Sequence, residues 1–166
     1  MIKRIIYWIL FFLFCFILQT TLVKIISVYG VRPDLILVAL FIFCTKTGVL
    51  PGVYLGFFLG LLQDLYSPSI LGQNALSKSV IGFLAGHFND KVIKLDPVLK
   101  AVLLIVLFMV NDSLIMIIEA MKLGTGMDII GPELLRFTLP RAFYSLLFAA
   151  LPFIWDAVIQ PAFRRY

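Results

Sequence analysis

The chain has 166 residues, 62% of them hydrophobic and 14% charged, with a mean hydropathy of +1.07. A soluble domain is roughly 45–50% apolar and about 25% charged, so this composition excludes an ordinary soluble protein and places the chain in the membrane class. The net charge of +5 does not point to nucleic acid, because much of the excess sits in short clusters beside apolar runs, such as Lys3-Arg4 and Arg164-Arg165, as the positive-inside bias produces.

A transmembrane helix needs about 20 mostly apolar residues. The first such run covers 5–23. It exceeds the apolar core of a signal peptide and no small-residue cleavage site follows, so it reads as an uncleaved span. Arg32-Pro33-Asp34 reads as a helix start with proline in the first turn. It leads into 34–47, which is apolar but only about 21 Å long as a helix. A tilted pair with the next segment in a thin region and a re-entrant hairpin both fit that length. Segment 49–66 follows directly, then 70–88 after the turn Ser67-Pro68-Ser69, and 98–119 after a polar loop. Beyond a long connection, where 132–136 reads as the start of a short interfacial helix, the last segment covers 137–160. The expected fold is an all-α integral membrane protein, a bundle of six transmembrane helices forming one domain over 1–166. Counting Lys and Arg in the loops gives eight on the side of the N-terminus and four on the other, which puts both termini in the cytoplasm. Cys15 and Cys44 lie inside apolar runs without metal-ligand spacing and read as small buried hydrophobes.

The stretch GVLPGVYLGFFLGLLQD, residues 48–64, spaces Gly48, Gly52, Gly56 and Gly60 by four. Glycine costs about 1 kcal/mol in a helix relative to alanine. In lipid it is repaid by close helix approach, since apolar side chains gain little from hiding among apolar tails. A row of period 4 drifts by about 40° per step on a helix of 3.6 residues per turn. One crossing helix is therefore not expected to use all four glycines, and two contacts are predicted, one near each end. Segment 70–88 repeats the spacing with Asn74, Lys78, Gly82 and Gly86. Both rows read either as internal packing or, in part, as a docking ridge for another protein.

Charged residues inside spans mark sites that need partners. Lys78 lies about 12 Å into its span and Asp112 about 10 Å into its own, both from the outer side. The matched depth predicts a shared intramembrane polar site of Lys78 and Asp112, with Asn74 and Asn111. Asp64 falls at a helix C-terminus, unfavourable for a carboxylate, which suggests either a cation such as Arg32 or Arg141 beside it or exposure to headgroup water. His87 is the only histidine. No HExxH, GxSxG or phosphate-loop motif occurs, so no catalytic residue, cofactor or metal site is expected.

Arg32-Pro33-Asp34-Leu35, then Gly52-x3-Gly56-x3-Gly60-Leu61-Leu62-Gln63-Asp64-Leu65, then Leu71-Gly72-x-Asn74-Ala75-Leu76, then Gly82-Phe83-Leu84-Ala85-Gly86 resembles the MreD family of rod shape-determining proteins. The likeness is clear over roughly residues 30–90, and Asn111-Asp112 extends it weakly. Pro68 stands where the family leads one to expect glycine, and Lys78 is more charged than expected there. The resemblance implies a bacterial inner-membrane protein of the wall-elongation machinery. It implies an MreC-like partner, a SEDS-type glycosyltransferase and a class B penicillin-binding transpeptidase, reached directly or through MreC, and an indirect link to the MreB filament. It also implies a fold similar to the substrate-binding subunits of energy-coupling-factor transporters. The leading expectation is a non-enzymatic scaffold, and the alternative is a small-molecule-binding transporter subunit. A scaffold should have its intramembrane polar groups mutually satisfied and a glycine ridge left bare. A transporter subunit should have a cavity lined by Asn74, Lys78, Asp112 and Glu119.

Overall fold

The computed structural model describes residues 2–25, 33–66, 70–89, 96–124 and 138–154. Six helices run through them: α1 (Ile2–Ile25), α2 (Leu35–Thr47), α3 (Val49–Tyr66), α4 (Gln73–His87), α5 (Pro97–Leu123) and α6 (Leu139–Ile154), with no strand among the described residues. They match the six expected segments in order. Helices α3 and α5 are long and apolar enough to cross a membrane, and Ile6–Thr21 and Leu35–Thr47 are shorter apolar stretches. Arg32, the expected interfacial helix at 132–136 and the end of the last segment lie outside the described residues.

Helix α2 forms the middle of the bundle. It packs against α1, α3, α4, α5 and α6, and nine of its thirteen residues are buried. Its shortness is therefore no obstacle, because backbone walled by protein need not match the lipid thickness. Asp34 caps its start, its side chain accepting from the Leu37 N–H at 3.0 Å. Gly48 closes its end at φ +96°, where an L side chain is strained, and donates its N–H to the Cys44 carbonyl at 2.9 Å. That cap lets α3 begin one residue later. Helix α1 lies on α2 through aromatic contacts, with Trp8 and Phe12 ring centroids 5.0 and 5.7 Å from Phe43.

The glycine rows of α3 and α4 face each other. A methyl group on Gly52 would lie 2.8 Å from the Gly82 carbonyl oxygen, one on Gly56 2.3 Å from that of Lys78, and one on Gly60 2.3 Å from that of Asn74. At the far end, a methyl on Gly86 would lie 2.4 Å from the Val49 Cα and 2.9 Å from the Gly48 carbonyl carbon. The pairing order makes the helices antiparallel. It also corrects the expectation that one helix cannot use the whole row. Both rows share period 4, so they drift together, and a period above 3.6 favours right-handed wrapping that keeps them in contact. The ridge is internal packing and is not left bare for a partner.

Candidate functional site: a polar network at three helix starts

Three aspartates sit at the starts of three helices. Asp34 caps α2 from within. Asp64, at the end of α3, serves α4: its carboxylate accepts from the backbone N–H groups of Gly72 at 2.9 Å, Asn74 at 3.0 Å and Ala75 at 3.0 Å, and from the Asn74 side chain at 2.8 Å. Asp112, within α5, accepts from the Thr138 hydroxyl just before α6 at 2.9 Å and from Arg141 in its first turn. The first N–H groups of a helix have no partner within it, and in lipid no water supplies one. The carboxylates of Asp34 and Asp64 satisfy such donors and complement the positive end of the helix dipole, whereas Asp112 meets α6 through the Thr138 and Arg141 side chains.

The turn into α4 depends on Gly72, whose φ of +95° turns the chain so that its N–H and those of Asn74 and Ala75 converge on one carboxylate. This accounts for a carboxylate at the end of α3; of the two cations expected beside Asp64, Arg32 lies outside the described residues. Asp64 ends one helix in an unfavourable place because it begins the next, and Arg141 is committed to Asp112.

Two cations balance two of the aspartates. Lys78 is fully buried, and its Nζ lies 3.1 Å from Asp34 Oδ2. Arg141 Nη1 lies 3.1 and 3.2 Å from the two oxygens of Asp112. The expected pairing of Lys78 with Asp112 is thus overturned. Matching depth along two spans leaves azimuth undetermined. Consecutive helical residues point 100° apart, so Ser77 faces α5, its hydroxyl 2.8 Å from Asn111 Oδ1, while Lys78 turns to α2. Asn111 bridges onward to Asp112 at 3.0 Å. The predicted members therefore divide between three clusters: Lys78 with Asp34, Asn111 with Asp112, and Asn74 with Asp64.

Neutral polar residues complete the network. The Gln19 side chain donates to the Pro33 carbonyl at 3.1 Å and accepts from the Leu35 N–H at 2.9 Å. The Asp34 N–H donates to Ser145 Oγ of α6 at 3.0 Å. Gln73 Nε2 reaches the Ile115 carbonyl at 3.1 Å and Glu119 at 3.2 Å. The start of α2 is thereby held by side chains from α1, α4 and α6. Sequence reading missed Gln19, Ser77, Thr138 and Ser145. The available signal was their polar character within mostly apolar segments, since polar side chains in spans serve as interhelical glue. Arg32 lies outside the described residues, whereas Pro33 is buried beside Asp34. Among the described residues no group of three His, Cys, Asp or Glu side chains could hold a metal ion.

A family profile described as rod shape-determining protein MreD matches residues 1–164. No curated protein and no solved structure matches the chain.

Proposed function

Because the chain belongs to the MreD family of rod shape-determining membrane proteins, we propose that it is a non-enzymatic scaffold of the bacterial wall-elongation machinery. In this reading the six helices are six spans of the inner membrane, with both termini cytoplasmic and an arrangement similar to energy-coupling-factor substrate-binding subunits. The scaffold holds an MreC-like membrane protein and, directly or through it, a SEDS-type glycosyltransferase and a class B transpeptidase, with the MreB filament reached indirectly.

One observation carries the reading. Lys78, Asp34, Arg141, Asp112 and Asp64 are committed to one another and to helix starts. An intramembrane charge is by default a functional hypothesis, and here the job it performs is to join helices. The same commitment weighs against the transporter alternative, because Asn74, Lys78 and Asp112 are turned to internal partners rather than gathered around a ligand. With the glycine ridge consumed by α4, partners must bind elsewhere, and α1 and α3 present broad apolar faces outward, including Tyr7, Leu10, Phe14, Tyr54, Phe58 and Leu65.

The experiment is co-purification from detergent extracts of cells. Tyr54→Ala/Phe58→Ala, on the outer face of α3, is compared with Tyr7→Ala/Phe14→Ala on α1. The reading expects at least one pair to lose the MreC-like partner while the protein stays folded and abundant. Retention of all partners by every outer-face variant, or turnover of a wall precursor by the purified chain, would refute it.

A further inference from the structure

Among the described residues, helix α1 contributes no member of the Lys78–Asp34 or Arg141–Asp112 ion pair. Its aromatic rings pack on α2, where Trp8 and Phe12 meet Phe43, and on α3, where Phe16 meets Tyr66. Among the described residues its side-chain hydrogen bonds to the rest of the bundle come from the Gln19 amide, and their placement is specific. The Pro33 carbonyl and the Leu35 N–H are the backbone groups on either side of Asp34, and Gln19 takes both. A carboxamide is suited to this because it offers a donor and an acceptor in one plane. Asp34 is in turn the residue whose carboxylate caps α2 and receives Lys78, and whose N–H meets Ser145.

We infer that Gln19 is a positioning residue that couples α1 to the buried Lys78–Asp34 pair. By fixing the backbone before and after Asp34 it sets the direction of the carboxylate, and a shift of α1 is felt at α4 through Lys78 and at α6 through Ser145. Loss of the amide leaves the Leu35 N–H, an orphan donor of the first turn, and the Pro33 carbonyl without partners in a part-buried place. The chain then re-orients to satisfy them, taking Asp34 with it. A binding event on the outer face of α1 thereby has a route into the bundle in two hydrogen-bonded steps, from Gln19 to the backbone around Asp34 and from Asp34 to Lys78 or Ser145. In contrast, the aromatic contacts of α1 with Phe43 lie near the other end of α2 and do not touch Asp34.

The test is a thermodynamic cycle in detergent, which reads coupling rather than the loss of a contact. Gln19→Leu is made in the native chain and in a Lys78→Met/Asp34→Asn background that has no ion pair. Coupling predicts that the shift in unfolding midpoint caused by Gln19→Leu falls to less than half in the second background. Equal shifts in both would overturn the inference. If Gln19→Leu does not fold, Gln19→Glu, which keeps the acceptor for Leu35, replaces it in the same cycle. A spectroscopic readout separates positioning from packing. The Asp34 carboxyl carbon resonance should move in the Gln19 variant and stay in place in Phe12→Ala, which removes only packing of α1. A resonance unmoved by the Gln19 substitution would also overturn it.

Discussion

Gly56→Ala adds one methyl group to the middle of the α3–α4 contact. The new Cβ would fall 2.3 Å from the Lys78 carbonyl oxygen and 2.8 Å from its carbon. Carbon–oxygen contacts settle at about 3.3–3.6 Å, so α4 must withdraw by about 1 Å at this level. The obstruction is backbone and has no rotamer to escape into. Overpacking of this kind costs about 1–3 kcal/mol, against a gain of about 1 kcal/mol from replacing a helical glycine by alanine. The withdrawal also moves Lys78 away from Asp34, and its buried ammonium has to follow. The net expectation is a loss of about 1–2 kcal/mol, a factor of about 5–30 in the folding constant. Unfolding in dodecyl maltoside with increasing dodecyl sulfate reads this, with Leu50→Ala as the control, since Leu50 lies 71% exposed on another face of α3. Gly56→Ala that matches or exceeds the parent in stability would mean that the two rows do not touch.

Further outcomes follow from the three helix starts. Asp64→Ala removes the acceptor for three backbone N–H groups at once. It should cost more than the roughly 1 kcal/mol of a single cap, with Asp64→Asn intermediate, by the same unfolding assay. Lys78→Met alone leaves Asp34 without its cation and should destabilise by about 3–5 kcal/mol. Adding Asp34→Asn should recover much of that loss, whereas adding Asp112→Leu should not, and the reverse pattern would restore the pairing expected from depth. Gly48→Ala, placed at φ +96° with Asn89 Nδ2 3.1 Å from the new methyl, should destabilise the α2–α3 corner by about 1–3 kcal/mol of backbone strain.

The helices were readable because lipid enforces a simple grammar of apolar runs and polar breaks. The segments 49–66 and 34–47 match α3 and α2 to within a residue. The glycine rows were readable as contact faces for the same reason, yet that the two faced each other was not. Depth along a span follows from counting residues, but facing direction depends on which neighbours surround the helix, and a sequence does not order them. Depth alone therefore assigns Lys78 to Asp112, whereas its partner is Asp34. The helix that Asp64 ends does not reveal its hydrogen bonds to the helix it begins. Its partners, Gly72, Asn74 and Ala75, lie eight to eleven residues on, and the positive φ of Gly72 brings them back. Gln19 and Ser145 carry no charge, so their polar character is a weaker signal than that of the aspartates, although they hold the start of α2 from two sides.

A structure of the chain captured with its shape-machinery partners in a lipid nanodisc decides whether its interior serves only to hold itself together. The expected result is α4 lying along Gly52–Gly60, Lys78 on Asp34, and partner helices on the outward faces. A partner helix seated on Gly52, Gly56 and Gly60 with α4 displaced, or a small molecule held between Lys78 and Asp112, would contradict it.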